Sequence, residues 1–411
     1  MEVIVARCAG LDVHKKQVTA CIRIPDETGG RRQQVRKFGT FLSELEDLGD
    51  WLAAEGVTEV VMEATGSYWK PVWAVLDEAG FDLKLVNARH VKQVPGRKTD
   101  VSDAAWLAQL LETGLLRGSF VPSPMIRQLR DLTRYRKRLI QDRIRETLRV
   151  QKVLEDAAIK LGSVASDVLG MSGRAMIEAL IAGERDPQVL AGLAQGRLRA
   201  KTEDLLRALQ GRFSDHHAVM LRLHLDHIDH LDATITRLDD QVDRLMGPFE
   251  QARGLLCTIP GVAKRTAEVI IAETGADMSR FPTPGHLASW AGLCPGNNES
   301  AGKHRTGKTR TGDIWLTDTL TQAAWAAART KDGYLKARYW QLARRIGKHK
   351  AATAIAHNIL TISWHILTTQ QPYHDLGSEW TRRQDDPTRR TRQLIRQLEA
   401  LGHHVEITPA A

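Results

Sequence analysis

The chain has 411 residues, 58 Lys and Arg against 49 Asp and Glu for a net charge of +9, and an apolar share of 42%. That composition is ordinary for a folded chain of two or three domains and excludes wholesale disorder. No apolar run approaches the roughly 20 residues that span a bilayer, and Met1-Glu-Val-Ile-Val lacks the order of a signal peptide, so a cytoplasmic protein is expected.

The first 125 residues alternate strand-like and helix-like segments, which predicts a mixed α/β domain. Val3–Ala6 and Gln17–Ile24 read as strands flanking Leu11-Asp-Val-His. A helix over Phe41–Glu55, a strand over Glu59–Met62, a helix over Tyr68–Ala79, a strand over Asp82–Asn87 and a helix over Asp100–Thr113 follow. Four carboxylates stand at informative places. Asp12 ends an apolar strand before a turn, Glu63 ends another, and Asp100 and Asp103 share one helix face at i,i+3 spacing. Two like charges so placed destabilise a helix unless a cation lies between them, and Mg²⁺ prefers hard oxygen ligands. Each acid alone has a bland reading as a turn residue, a solvated side chain or an N-cap. The four together point to a metal-dependent phosphoryl-transfer site.

Residues 126–250 read as almost wholly helical. Between Arg127 and Lys152 ten basic residues face three acids, a local net of +7, with Leu129, Leu132, Leu139, Ile140, Ile144 and Leu148 at helical spacing. Arg127, Arg130, Arg134, Arg136, Lys137 and Arg138 are therefore expected to touch a nucleic-acid backbone. Leu221, Leu225, Ile228, Leu231, Ile235, Leu238, Val242 and Leu245 form a coiled-coil seam, suited to an intrachain hairpin or to a second chain. Gly162–Gly211, between these helices, reads as short helices and loops.

A third region, 251–375, begins with Ile259-Pro-Gly-Val. This resembles the hairpin of helix-hairpin-helix modules, with Gly261 near a DNA phosphate, and equally a plain packing turn. From Cys294 to Asp313 runs a small-residue loop with Ser300 at its centre and Lys303, Arg305, Lys308 and Arg310 around it. The residues alone fit a phosphate-binding loop as well as a nucleophile. Helices over Ile314–Thr330 and Lys350–Leu367 follow. Residues 376–411 are a polar tail with six arginines between Arg382 and Arg396, open to reading as a disordered arm. Cys8, Cys21, Cys257 and Cys294 have no zinc or redox spacing and are expected to be reduced core residues.

Gly10-Leu-Asp-Val-His-Lys, Met62-Glu-Ala-Thr-Gly-Ser-Tyr-Trp, Val94-Pro-Gly-Arg-Lys-Thr-Asp-Val-Ser-Asp-Ala, Leu287-Ala-Ser-Trp-Ala-Gly-Leu-Cys-Pro-Gly and Ser300-Ala-Gly-Lys occur in this order. Together with Ile259-Pro-Gly-Val they resemble the DEDD-type transposases of the bacterial insertion sequence 110 family. The resemblance implies a RuvC-like, ribonuclease-H-type N-terminal domain, a central coiled coil used in dimerisation and a C-terminal helical transposase domain. Asp12, Glu63, Asp100 and Asp103 match the family's metal-binding acids, with Mg²⁺ as cofactor. Ser300 matches the serine that forms a covalent phosphoserine link to DNA. Donor and target DNA, a structured bridge RNA that selects sites by base pairing, and a homo-oligomer (dimer or tetramer) are the implied partners, in a bacterial, nucleoid-associated setting. A hydrolytic Holliday-junction-type nuclease using the same acids, or a non-catalytic nucleic-acid-binding regulator, are the alternatives.

Overall fold

The computed structural model describes residues 3–26, 29–88, 91, 103–296, 299–300, 303–304, 309, 312–379 and 387–406. It divides into two compact units, Met1–Val121 and Pro122–Ala411.

The first unit is built on a five-stranded mixed sheet. Strands β1 (Cys8–Val13), β2 (Val18–Pro25) and β3 (Arg31–Phe38) form an antiparallel meander, while β4 (Glu59–Glu63) and β5 (Asp82–Val86) run parallel to β1, in the order β3-β2-β1-β4-β5. Side chains alternate along a strand, so each face has its own core. Ala9, Leu11 and Val13 pack with Leu48, Trp51 and Leu76 of helices α1 (Leu42–Ala54) and α2 (Trp69–Glu78). On the opposite face Cys8, Val61 and Val86 pack on Trp106, Leu107 and Leu110 of α3 (Asp103–Glu112).

The expected strand at Val3–Ala6 is not formed; the first strand starts at Cys8 and includes Asp12. Sequence reading also missed β3. Its run Arg-Arg-Gln-Gln-Val-Arg-Lys-Phe lacks apolar alternation because it is an edge strand, where charge discourages pairing with other chains. Glu112, buried at the end of α3, pairs with Arg23 of β2 at 2.9 Å and Arg31 of β3 at 2.5 Å.

Gly10 is fixed by helix packing. A Cβ there would lie 2.3 Å from the Ala104 carbonyl oxygen and 2.4 Å from the Ala108 nitrogen, so only glycine lets the α3 backbone approach β1 so closely. Gly10→Ala should therefore lower stability by about 2 kcal/mol, seen as an earlier urea midpoint. An unchanged midpoint would mean that α3 can retreat from β1 without cost.

The second unit is helical among its described residues, apart from a short hairpin near Ser300. Helix α4 (Pro124–Asp156) lies antiparallel to α6 (Asp215–Met246), as the pairs Arg136–Asp239 (2.7 Å), Arg143–Asp232 (2.5 Å) and Asp156–His217 (3.2 Å) fix. The α6 seam closes on α4 of the same chain, with Leu139 against Leu231 and Ile235, and Val150 and Leu154 in one core with Leu221, Leu225 and Ile228. Between them, short helices including α5 (Met171–Ile181) join that core.

Beyond α6 come α7 (Glu250–Leu256), α8 (Lys264–Thr274), α9 (Pro284–Trp290), α10 (Ile314–Ala327), α11 (Tyr334–Ile346) and α12 (Lys348–Thr369). Residues 126–250 and 251–375 thus belong to one compact unit. Helix α11 was not foreseen from sequence. Part of the tail is helical, over α13 (Pro387–Ala400), where an arm without structure was an option. Cys8 and Cys21 are buried and free, and burial pushes their thiols up to about 12 and about 11. Cys257, however, is exposed and Cys294 half-buried, so these two are not core residues. No helix of the described residues is long and apolar enough to cross a membrane.

Candidate functional site

In the first unit, the parallel register of β1 and β4 pairs Leu11 with Met62, and Asp12 and Glu63 are the next residues on the two strands. By alternation both lie on the face covered by α3, Asp12 in line with Cys8 and Gly10, and Glu63 in line with Val61. Asp103 opens α3 beside Ala104, whose carbonyl sits against Gly10. Three of the four expected acids therefore belong to one end and one face of the sheet, and Asp100 lies outside the described residues.

The Asp12 carboxylate is 25% exposed and lies 3.1 Å from His14 Nε2. Thr65 donates its hydroxyl to the Val13 carbonyl at 3.1 Å, and the Ala64 amide donates to Val86, which ties the chain after Glu63 to the ends of β1 and β5. His14 and Thr65 were not singled out from sequence, because neither residue type at that spacing carries a chemical signal. Among the described residues no three His, Cys, Asp or Glu side chains converge closely enough to hold a metal ion. The donor type nonetheless fits a hard divalent cation, since Asp12 and Glu63 are partly exposed oxygen donors on one face.

In the second unit, Glu299–Ser300 pairs antiparallel with Lys303–His304, Ser300 opposite Lys303, and Pro295 bridges Thr309. Ser300 is therefore the last paired residue on one arm of a hairpin. Arg305, Lys308 and Arg310 lie outside the described residues. Where the loop ends, Gly312 packs so tightly that a Cβ would sit 2.3 Å from the carbonyl of Ala291. Asp313 caps α10 by accepting from the Trp315 and Leu316 amides at 2.9 and 3.0 Å.

That cap is tied to a buried charge cluster. Arg134 donates two parallel bonds to the fully buried Glu273, both 2.8 Å, and a third to Asp313 at 3.1 Å. Arg130 adds a contact to Glu273 at 3.0 Å and bonds to the Ala272 and Glu273 carbonyls, satisfying the C-terminal end of α8. Burial raises the Glu273 carboxyl to about 7, against the pull of Arg134 and with Asp313 adding a second negative charge.

Much of the charge on the basic helix is thus internal. Arg136 is buried between Asp239 and Glu268, both at 2.7 Å, and Lys137 pairs with Asp318 at 2.5 Å. Seven of its ten basic residues form ion pairs: Arg130, Arg134, Arg136, Lys137 and Arg143 pair with other helices of the second unit or with their ends, while Arg145 and Arg149 stay exposed and pair only with Asp142 and Glu146 one turn away on the same helix. Arg138 is exposed and lies over the Trp315 ring at 5.3 Å, and Arg127 has no ion pair among the described residues. Gly261, with φ +87°, has its missing Cβ 2.3 Å from the Ala323 carbonyl, so close packing of α10 accounts for this glycine.

A DEDD transposase model of the IS110 group matches residues 9–159, and a model described as the transposase IS116/IS110/IS902 family matches residues 253–340. The y4pF/y4sB protein of Sinorhizobium fredii is 27% identical over 325 residues, 77% of this chain and 74% of its own length. The transposase for insertion sequence element IS1111A of Coxiella burnetii is 25% identical over 76% of this chain and 79% of its own. A pilin gene-inverting protein of Moraxella bovis is 38% identical over 78 residues, 24% of its length. Two models of the same kind, matched in chain order over more than half of the sequence, make this chain a member of the IS110 family of transposases.

Proposed function

We propose that the protein cuts and rejoins DNA strands through a serine nucleophile and an acid-held Mg²⁺, within a RuvC-like, ribonuclease-H-type scheme. The observation that carries this reading is the juxtaposition of Asp12 and Glu63 at the ends of adjacent parallel strands, under the helix that Asp103 opens. The sheet, three antiparallel strands followed by two parallel ones, supports that scheme.

Asp12, Glu63 and Asp103, with Asp100, would hold the cation. When bound, it would polarise a phosphate oxygen and ease loss of the serine proton. Ser300 Oγ then forms a bond to phosphorus while one phosphodiester P–O bond breaks, and the proton ends on the released hydroxyl. One ester replaces another, so the strand can be rejoined without an outside energy source. The hairpin supports this role by holding Ser300 on a short paired segment whose base is packed at Gly312 and capped at Asp313. Lys303 and Arg305 would oppose charge on the phosphate. Site choice by a bridge RNA, and action as a dimer or tetramer, belong to the same proposal and rest on the family resemblance.

A covalent trap tests it. Protein, Mg²⁺, end-labelled donor and target DNA and RNA from the element's flank are run on a denaturing gel beside Ser300→Ala. A protein-linked DNA band lost in the variant is the expected result. Free cleaved strands at equal yield in both would make the enzyme a hydrolytic nuclease instead.

A further inference from the structure

Five of the ten cations of α4 pair with other elements of the fold; those of another surface do not. Between Arg329 and Lys350 the sequence holds eight basic residues and one acid, Asp332. Among the described residues, none of the eight takes part in an ion pair with a carboxylate. Leu335 and Tyr339 turn one face of α11 into the core, and the other face presents Lys336, Trp340 and Arg344 at i, i+4 and i+8. Trp340 is 45% exposed, standing edge-on to Tyr339 with ring centroids 5.3 Å apart.

Gly347, at φ +84°, ends α11 and starts α12, whose first turn adds Lys348 and Lys350 and carries no acidic residue. Cations at the positive end of a helix, beside other cations, cost stability that acids ordinarily relieve. Arg338 Nε is buried without a hydrogen-bond partner. So much uncompensated positive charge around an exposed indole fits a polyanion with accessible flat rings.

We infer that the α11 face and the start of α12 bind single-stranded DNA, with a base stacked on Trp340 and phosphates held by Lys336, Arg344 and Lys348. Duplex bases are stacked on each other and offer no free face, so the indole selects unpaired nucleotides, while the cations follow the backbone. The choice of DNA over RNA rests on the strand-transfer reading above, since cutting and rejoining exposes unpaired DNA ends. The surface itself does not depend on the acids or Ser300.

The test is fluorescence polarisation of the full chain with end-labelled oligothymidine, in EDTA so that strand cleavage cannot intervene. Trp340→Ala should weaken binding by about tenfold, and Trp340→Phe should stay within about twofold, as stacking predicts. The triple variant Lys336→Ala/Arg344→Ala/Lys348→Ala should flatten the log–log salt dependence by about 2, for three lost single-strand phosphate contacts. Wild-type affinity and salt slope in the triple variant would overturn the assignment. So would an equal loss on duplex DNA in Trp340→Ala, or Trp340-dependent binding of oligouridine with none of oligothymidine. All of these read binding alone, so failure of the cleavage proposal is seen separately, in the covalent trap.

Discussion

Replacing Asp12 by Asn should lower DNA strand cleavage by roughly 10³-fold while leaving DNA binding within about twofold. Asn keeps the size of the side chain and its partial exposure next to His14, so neither β1 nor the α3 packing at Gly10 need change. What it removes is the negative oxygen that a hard cation needs. Glu63→Gln should behave in the same way, because Glu63 occupies the neighbouring strand end on the same face. Cleavage rates under single-turnover conditions, with binding measured in parallel, decide the matter. A variant that cleaves at near the wild-type rate would remove the metal-site reading, whatever happened to Ser300.

The strand ends were legible in sequence for a simple reason. Apolar runs that reach a carboxylate before a turn, Gly10-Leu-Asp and Val60-Val-Met-Glu, read as strand ends, and in the fold they lie on adjacent strands. The α/β layer followed by helices was legible from the change in hydrophobic period from two to nearly four. The edge strand β3 was not, because an exposed strand with charges on it has no period to detect. Helix α11 was missed for a related reason: its buried face is narrow, chiefly Leu335 and Tyr339, and the rest reads as a basic stretch.

The basic helix shows the opposite difficulty. Counting Arg127 to Lys152 finds the charge but not most of its partners, since five of the seven paired cations reach Asp232, Asp239, Glu268, Glu273 and Asp318 far along the chain. A local net charge is a property of sequence neighbours, whereas neutralisation depends on spatial ones. The same counting underrates Arg329–Lys350, where no carboxylate of the described residues arrives to pair.

Arg134→Met should destabilise the protein by roughly 3 kcal/mol, because it removes both parallel bonds from a carboxylate that is fully buried. Arg130 keeps one contact to Glu273, which holds the loss at that level. The cost should also depend on pH in a defined direction. Glu273 titrates at about 7 in the folded chain, against 4.5 for an ordinary glutamate, because burial disfavours its charge. The folded state therefore binds this proton more tightly than the unfolded state. The resulting stabilisation is complete below about pH 4.5 and is lost as pH rises through about 7. Urea unfolding of wild type and Glu273→Gln across that range should show the difference, with the wild type losing stability relative to the variant as pH rises. The same titration makes Arg134→Met costlier at pH 8, where Glu273 is charged and needs the guanidinium, than at pH 5.5. Combining Arg134→Met with Glu273→Gln should recover most of the loss, since no buried charge is then left unpaired. A pH-independent cost that the double variant does not relieve would make Arg134 a packing residue only. In that case Asp313, and with it the base of the Ser300 hairpin, would owe nothing to the charge of Glu273.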